Sequence, residues 1–310
     1  MKSINLILVL SLFIAGCKQK PSTTNNTEPE SDTIMFPTEL VEFISYQNNP
    51  VFTGSGTDTW DSLIRERGYI LREEGIYHMW YCGYREGPEK EIHLGYASSE
   101  DGLLWTKYEG NPIFDLDWVE DVCVLKSDSI YYMFAEGRGD IAHMLTSSDR
   151  IHWKEHGPLD VRYTTGAPLS KGPYGTPAVW LENGIWYLFY ERKDLGIWLA
   201  TSSDLKIWTN LQDDPVIKLG PEKYDQKQVA LNQIIKYKGK YYGYYHASAY
   251  EDWRRPWTSC VAMSEDLIHW KKYSKNPIMS ENKSSPIMVH DGSGYRLYTM
   301  HPAVCVHFPH

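Results

Sequence analysis

Two carboxylates stand seven and eight residues either side of one polar turn: Asp121 and Glu136 flank Asp128. The residues between them read as a β-hairpin. Val122, Val124 and Leu125 lead into Ser127-Asp128-Ser129, and Ile130 to Ala135 returns as β-branched and aromatic residues. Antiparallel pairing about that turn places Asp121 opposite Glu136. Like charges that close push one pKa up and leave the other ionised, a division that suits acid–base chemistry.

The hairpin recurs. Aligning on the aromatic that opens each second strand (Tyr77, Tyr131, Trp186, Tyr241, Tyr295) gives five copies. Five or six residues further on stand Cys82, Glu136, Glu191, His246 and His301. The matching starts of the first strands hold Glu66/Arg67, Asp121, Thr176, Asn232 and Ser284/Ser285. Functional side chains therefore gather at one end of every hairpin, and ordinary solvated residues fill the turns at the other.

Each of four hairpins is followed by a Ser-x-Asp segment and a Trp: Ser99 to Trp105, Ser147 to Trp153, Ser202 to Trp208 and Ser264 to Trp270. Asn111-Pro-Ile, Gly157-Pro-Leu, Asp214-Pro-Val and Asn276-Pro-Ile come next. The Ser and Asp side chains suit turns that bond local amides, and the Trp suits an outer strand packed between sheets, so these residues read as scaffold. Hairpin plus outer segment makes four strands with a period near ~50 residues, the range of propeller blades. The fifth hairpin lacks an outer segment and ends in Ala303 to Phe308. The missing piece lies at the front, in Phe43 to Tyr46 and Asn49-Pro-Val. The expectation is an all-β, five-bladed β-propeller of four-stranded antiparallel blades, the last closed by the N-terminal strand, which removes two open sheet edges. No long helical periodicity appears in the mature chain.

The first residues read differently. Met1-Lys2 followed by the apolar run Ile4 to Ala15 is a signal-peptide pattern, too short to span a membrane as a mature helix. Ile14-Ala15-Gly16-Cys17 resembles a bacterial lipobox, in which Cys17 carries the lipid. The chain divides into a signal peptide over 1–16, a polar disordered tether over 17–38 and a propeller over 39–310. The expected location is the bacterial cell envelope, with contact to membrane only through the anchor. Among 310 residues, 12 Trp and 23 Tyr supply one large core, and a net charge of −9 argues against a nucleic-acid partner. The remaining Cys82, Cys123, Cys260 and Cys305 have no metal-type or framework spacing and read as free thiols.

From about residue 40 to 310, the Ser-x-Asp…Trp and Asn-Pro-Ile repeats resemble the five-bladed propeller superfamily of glycoside hydrolases: arabinanases, β-xylosidases, fructosidases, and agar-oligosaccharide- and mannoside-acting enzymes. The resemblance implies a glycosidase acting on terminal or short-oligosaccharide bonds of a plant or algal polysaccharide. In such enzymes a base or nucleophile Asp comes from the first blade, a second Asp from the next and a Glu acid from a later one, all facing the central funnel. Asp121 matches the second Asp. The first blade presents Arg67 beside Glu66, with Asp61 six residues earlier; the third presents Thr176 where many relatives carry Glu. The assignment that follows makes Asp61 or Glu66 the base and Glu191 the acid, with Asp121 orienting the sugar and raising the acid's pKa. Glu136 and His246 are the other candidates for the acid. Substrate contacts fall to Glu66, Arg67, Glu136, Thr176, Asn232, His246 and His301, joined by Arg65 and Gln233. Trp60, Trp118, Tyr174 and Tyr250 offer faces for stacking on sugars. No metal-ligand cluster demands a cofactor, although the superfamily leaves room for a central structural cation. Two other readings stay open: a glycoside phosphorylase using Arg138, Arg192 and His246 to hold phosphate, and a non-catalytic surface propeller that binds glycans.

Overall fold

The computed structural model describes residues 35–65, 67–85, 91–116, 118–169, 172–252 and 254–310. The signal peptide, Cys17, most of the tether and Glu66 lie outside them. Five antiparallel sheets form the five blades of a β-propeller. Blade 1 comprises Leu63–Ile64 and Tyr69–Glu73 on the inside, then Ile76–Arg85, Glu91–Ser99 and Thr106–Lys107. Blade 2 is Glu120–Ser127, Ile130–Gly137, Ile141–Ser147 and Lys154–Pro158. Blade 3 is Gly175–Glu182, Ile185–Glu191, Gly196–Ser202 and Ile207–Asn210, widened by Ile217–Lys218 and by Asp160–Arg162, which runs parallel to the outer strand. Blade 4 is Gln228–Tyr237, Lys240–Ser248, Thr258–Ser264 and Trp270–Lys272. Blade 5 is Ser284–His290, Tyr295–His301, Cys305–Pro309 and, as its outer strand, Phe43–Ser45. Among the described residues, helix is limited to Thr38–Val41 and the 3-10 turn Lys223–Asp225.

The local chemistry explains why the pattern repeats. Hairpin turns at Glu74-Gly75, Asn183-Gly184 and Lys238-Gly239 hold both residues at positive φ, the backbone that twists a two-residue turn to match its strands. In the Ser-x-Asp segments, Ser99, Ser147, Ser202 and Ser264 accept from the amide three residues on, and the Asp carboxylates accept from the next amides. The four Trp rings reach back onto the preceding blade. Trp105 meets Tyr298, Trp153 meets Trp80, Trp208 meets Phe134 and Trp270 meets Phe189, with centroids 5.8 to 6.4 Å apart and near-perpendicular rings. These residues are scaffold, as their types imply.

The ring closes through backbone pairing of Phe43, Ile44 and Ser45 with Pro309, Phe308 and His307. Asn49 then bonds both the N–H and the C=O of Val306, at 2.9 and 2.8 Å. Asn111 does the same to Tyr96 and Asn276 to Val261. The Asn-Pro repeat is therefore a side-chain imitation of one more strand residue. Met35 and Phe36, assigned from composition to the tether, are buried against blade 4, where the Tyr242 hydroxyl donates to the Met35 carbonyl at 2.7 Å. Packing of the domain therefore starts at least at residue 35.

Asn49→Ala removes two part-buried hydrogen bonds at the closure and is expected to lower stability by about 1–3 kcal/mol. Urea denaturation measures this; an unchanged midpoint would show that the Asn49 bonds contribute nothing to ring closure.

Candidate active site

The innermost strands begin with an irregularity. Pairing runs Glu120 to Glu136 and then skips to Cys123; in blade 3 it runs Gly175 to Glu191 and skips to Ala178; in blade 4 it jumps from Leu231 to Gln233. Each skip is a β-bulge, which bends the strand and re-aims a side chain. Asp121, Thr176 and, in blade 5, Ser285 occupy the left-handed region at φ 49, 43 and 56. The expected partners therefore shift by one: Glu136 faces Glu120 rather than Asp121, and Glu191 faces Gly175 rather than Thr176. The extra residue in each bulge is the one that carries the polar side chain.

Carboxylates of blades 2 and 3 converge at this end. One Glu136 oxygen accepts from the Thr176 N–H at 2.6 Å and from its hydroxyl at 3.1 Å. Glu191 accepts from the Gly175 N–H at 3.2 Å and from the Asp194 N–H. A Cβ on Gly175 would lie 2.0 Å from the nearer Glu136 oxygen and 3.0 Å from that of Glu191, so the two carboxyl groups approach within about 5 Å. Glycine is required there because any side chain would occupy the space between them. Both groups are buried. Burial, followed by the charges of Asp121, Glu120 and Glu191, raises the Glu136 pKa well above its ordinary value. Burial and the Asp194 charge push Glu191 up to about 8. Glu191 therefore holds its proton at neutral pH, and Glu136 is biased in the same direction. Asp121 sits beside it, one carboxylate oxygen accepting from the Arg67 N–H at 2.9 Å.

Blades 4 and 5 supply imidazoles. His246 is buried; its Nδ1 lies 3.0 Å from the Asn232 side-chain nitrogen, and its ring stands edge-on to Trp257. Burial, then the Arg67 charge, lowers its pKa to about 3. Burial and Arg65 lower that of His301 to about 4, against the opposing pull of Asp121. Both rings are neutral at physiological pH. His246 thus carries no excess proton at neutral pH.

Other candidates sit elsewhere or are already occupied. The Asp61 carboxylate is buried under an ion pair with Lys107 at 2.7 Å and accepts from Ser55 and Tyr81. Blade 4 repeats this arrangement at Asp225, paired with Lys272 at 2.5 Å. Each Asp precedes a buried tyrosine, Tyr81 or Tyr245, by twenty residues, and each tyrosine hydroxyl meets the Asn of an Asn-Pro repeat. Asp61 is therefore one copy of a recurring clamp, set apart from the Asp121 cluster. Arg67 is fully buried, and its guanidinium bonds backbone carbonyls, which removes it from substrate contact. Gln233 ties blade 4 to the Met288 backbone of blade 5. Trp60 stacks on Tyr81 over Gly83, and the Tyr174 hydroxyl donates to Leu159, so both act as packing. Trp118 and Tyr250 remain at the surface end, with the guanidinium groups of Arg138 and Arg255 over their rings at 5.4 and 4.4 Å. The Trp118 indole also donates to Glu120 at 2.6 Å. A cavity of about 310 Å³ opens at the other, turn-bearing end of the axis between Leu71, Lys126, Trp180 and Ile234, away from these carboxylates. Sequence reasoning missed Gly175, Asp140 and Asp194. Only the Gly-Thr-Pro string at the start of an innermost strand hinted at the first.

Comparison with known proteins agrees with this architecture. No family model matches the chain. A 1,2-β-oligomannan phosphorylase of Thermoanaerobacter sp. (strain X514) is 25% identical over 227 residues, 67% of this chain and 73% of that protein. A glycosyl hydrolase from Bacteroides ovatus superposes with a TM-score of 0.68 at 17% identity, over 86% of this chain and 92% of that one. A structure from the GH130 family of mannoside phosphorylases, described as containing glycoside hydrolases that target β-1,2 mannosidic linkages in Candida mannan, superposes with a TM-score of 0.66 at 16% identity, over 86% and 92% of the two chains. The structural neighbours are five-bladed propellers of glycoside-active enzymes; at these identities the likeness establishes the fold and leaves the reaction to the site.

The titrating groups set a pH dependence of stability. The raised Glu191 pKa means the folded state holds a proton the unfolded chain releases. Its stabilising contribution is complete below 4.5 and is lost as pH rises through about 8. The depressed His246 and His301 work the other way: their contribution is present above 6.5 and is lost as pH falls through about 4 for His301 and about 3 for His246. Glu191→Gln should therefore flatten the alkaline arm of a stability–pH curve and leave the acidic arm in place. Identical alkaline slopes for mutant and wild type, read from urea midpoints, would contradict the proton held on Glu191.

Proposed function

We propose that the funnel hydrolyses a glycosidic bond of a short oligosaccharide, with β-mannosides as the first substrate class to test. The observation that carries this reading is the buried Glu136–Glu191 pair within about 5 Å, set beside Asp121. Glu191, protonated at neutral pH and close to Glu136, supplies the acid that a leaving glycosidic oxygen needs, and Asp121 is the carboxylate assigned to the developing charge at the anomeric carbon. His301 and the neutral His246 are the candidates to exchange hydrogen bonds with sugar hydroxyls; Asn232, expected from sequence to join them, is fully buried and supports His246 from behind. Trp118 and Tyr250 supply faces at the rim. The charges of Glu120, Asp121, Asp140 and Asp194, which raise Glu136 and Glu191, also repel a phosphate dianion, and this favours water as the acceptor.

Phosphorolysis is the second reading. Arg138 and Arg192 follow Glu136 and Glu191 by two and one residues, and one relative, at 25% identity, is a phosphorylase. Cys17 as a lipid anchor and a cell-envelope location complete the proposal; Cys17→Ala should leave the protein in the soluble fraction.

Mass analysis of products from β-1,2-, β-1,4- and plant or algal oligosaccharides, with and without inorganic phosphate, tests the reaction. Free reducing sugar without phosphate is expected; sugar phosphate formed only with phosphate would select the second reading. Asp121→Asn and Glu191→Gln should each lower kcat by about 10²–10⁴-fold, and turnover should decline above about pH 8 as Glu191 loses its proton. Asp61→Asn should lower stability by about 3–5 kcal/mol while kcat stays near that of the wild type. A large loss of kcat in folded Asp61→Asn would return Asp61 to the chemistry.

A further inference from the structure

One charged side chain touches the bulges of three blades at once. Arg67 lies in the break of the innermost strand of blade 1, between Leu63–Ile64 and Tyr69–Glu73. Its Nη1 donates to the carbonyls of Leu231 and Asn232 in blade 4, at 2.8 and 3.2 Å. Its Nη2 donates to the Pro177 carbonyl of blade 3 at 2.7 Å and to the Asp121 carbonyl of blade 2. Its own backbone joins in. The Arg67 N–H donates to the Asp121 carboxylate, and the Arg67 carbonyl accepts from the Val122 N–H at 3.0 Å. The residue is 0% exposed.

The acceptors fall at meaningful places. Asp121 is itself a funnel carboxylate. Pro177 follows Thr176, whose N–H and hydroxyl hold Glu136. Asn232 is the residue whose side chain meets His246. A buried guanidinium is costly unless its donors are met. Here main-chain carbonyls meet both Nη groups, and Nε alone has no acceptor. The planar fork reaches several acceptors in fixed directions, which an ammonium on a flexible stem does not reproduce. Because the guanidinium takes the Asp121 carbonyl, the adjoining carboxylate is oriented by a backbone N–H.

We propose that Arg67 is the positioning residue of the funnel: a cation built into the axis that fixes the bulges of blades 2, 3 and 4, and through them Asp121, Glu136 and His246. The catalytic part of this inference rests on the reading of the funnel given above; the structural part does not. Arg67 does for the ring what a bound axial ion would do, using the carbonyls such an ion would need.

Full-length Arg67→Lys and Arg67→Ala test it. Hydrogen exchange followed by mass spectrometry should show protection lost by about tenfold or more in Arg67→Lys at residues 121–123, 176–179 and 231–233, with the closure strands 43–45 and 305–309 unchanged. A residue that merely fills the core would speed exchange around the whole ring. On a cleaved oligosaccharide, kcat should fall about tenfold or more with KM within about threefold. Millimolar guanidinium should restore bulge protection in Arg67→Ala, and an equal concentration of sodium chloride should not. Wild-type protection at the three bulges in Arg67→Lys, or uniform loss, overturns the proposal; if Arg67→Ala does not fold, Arg67→Lys decides. If the wild type cleaves no glycoside, the exchange pattern still tests whether Arg67 holds the bulges, so failure of the functional reading is told apart from failure of this one.

Discussion

The start of each innermost strand must satisfy two demands. It has to stay in the hydrogen-bonded ladder of its own blade, and it has to turn a polar side chain toward the axis. The bulges at Asp121, Thr176 and Asn232 meet both by adding one residue that the ladder does not use. The left-handed backbone of Asp121 and Thr176 costs about 1–2 kcal/mol per residue for a side chain other than glycine. That cost is offset by bonds that exist only in this geometry, from Thr176 to Glu136 and from Arg67 to Asp121. The polar centre and the irregular backbone therefore stabilise each other.

The polarity of the funnel follows from which blade contributes what. Blades 2 and 3 bring carboxyl groups, and blades 1, 4 and 5 bring Arg65, His246 and His301. Burial acts on both sets in the same sense, toward the uncharged form. It raises the pKa of Glu136 and Glu191 and lowers those of the two imidazoles. A side able to release a proton thus shares the funnel with two neutral imidazoles and the Arg65 cation.

Much of this was legible in the sequence. The tally of five hairpins against four Ser-x-Asp…Trp segments fixed the blade count and required the N-terminal strand to supply the missing piece. The same alignment brought Asp121, Glu136, Glu191, His246 and His301 to one end. What stayed hidden was of a different kind. A bulge adds a residue without changing the hydrophobic alternation around it, so counting from the turn paired Asp121 with Glu136 when Glu120 holds that place. Arg67 read as a ligand for sugar because the hairpin alignment puts it at the rim end of the first strand; nothing local says that its side chain runs to a carbonyl 164 residues away. Asp61 drew notice as the aspartate nearest the place where the resemblance expects a first-blade carboxylate. The repeat that reveals its role, an Asp twenty residues before a tyrosine and paired to a lysine two residues after a Trp, appears only when blade 1 is laid over blade 4.

The closure of blade 5 has a kinetic consequence. Phe43–Ser45 finds its partner in Cys305–Pro309, and the His310 N–H reaches the Glu42 carbonyl at 3.0 Å. These are contacts of extreme sequence separation, the slowest kind to form. During synthesis the first strand emerges from the ribosome with no mate and waits, edge exposed, until almost the whole chain has followed. The ring therefore matures by a late zippering event.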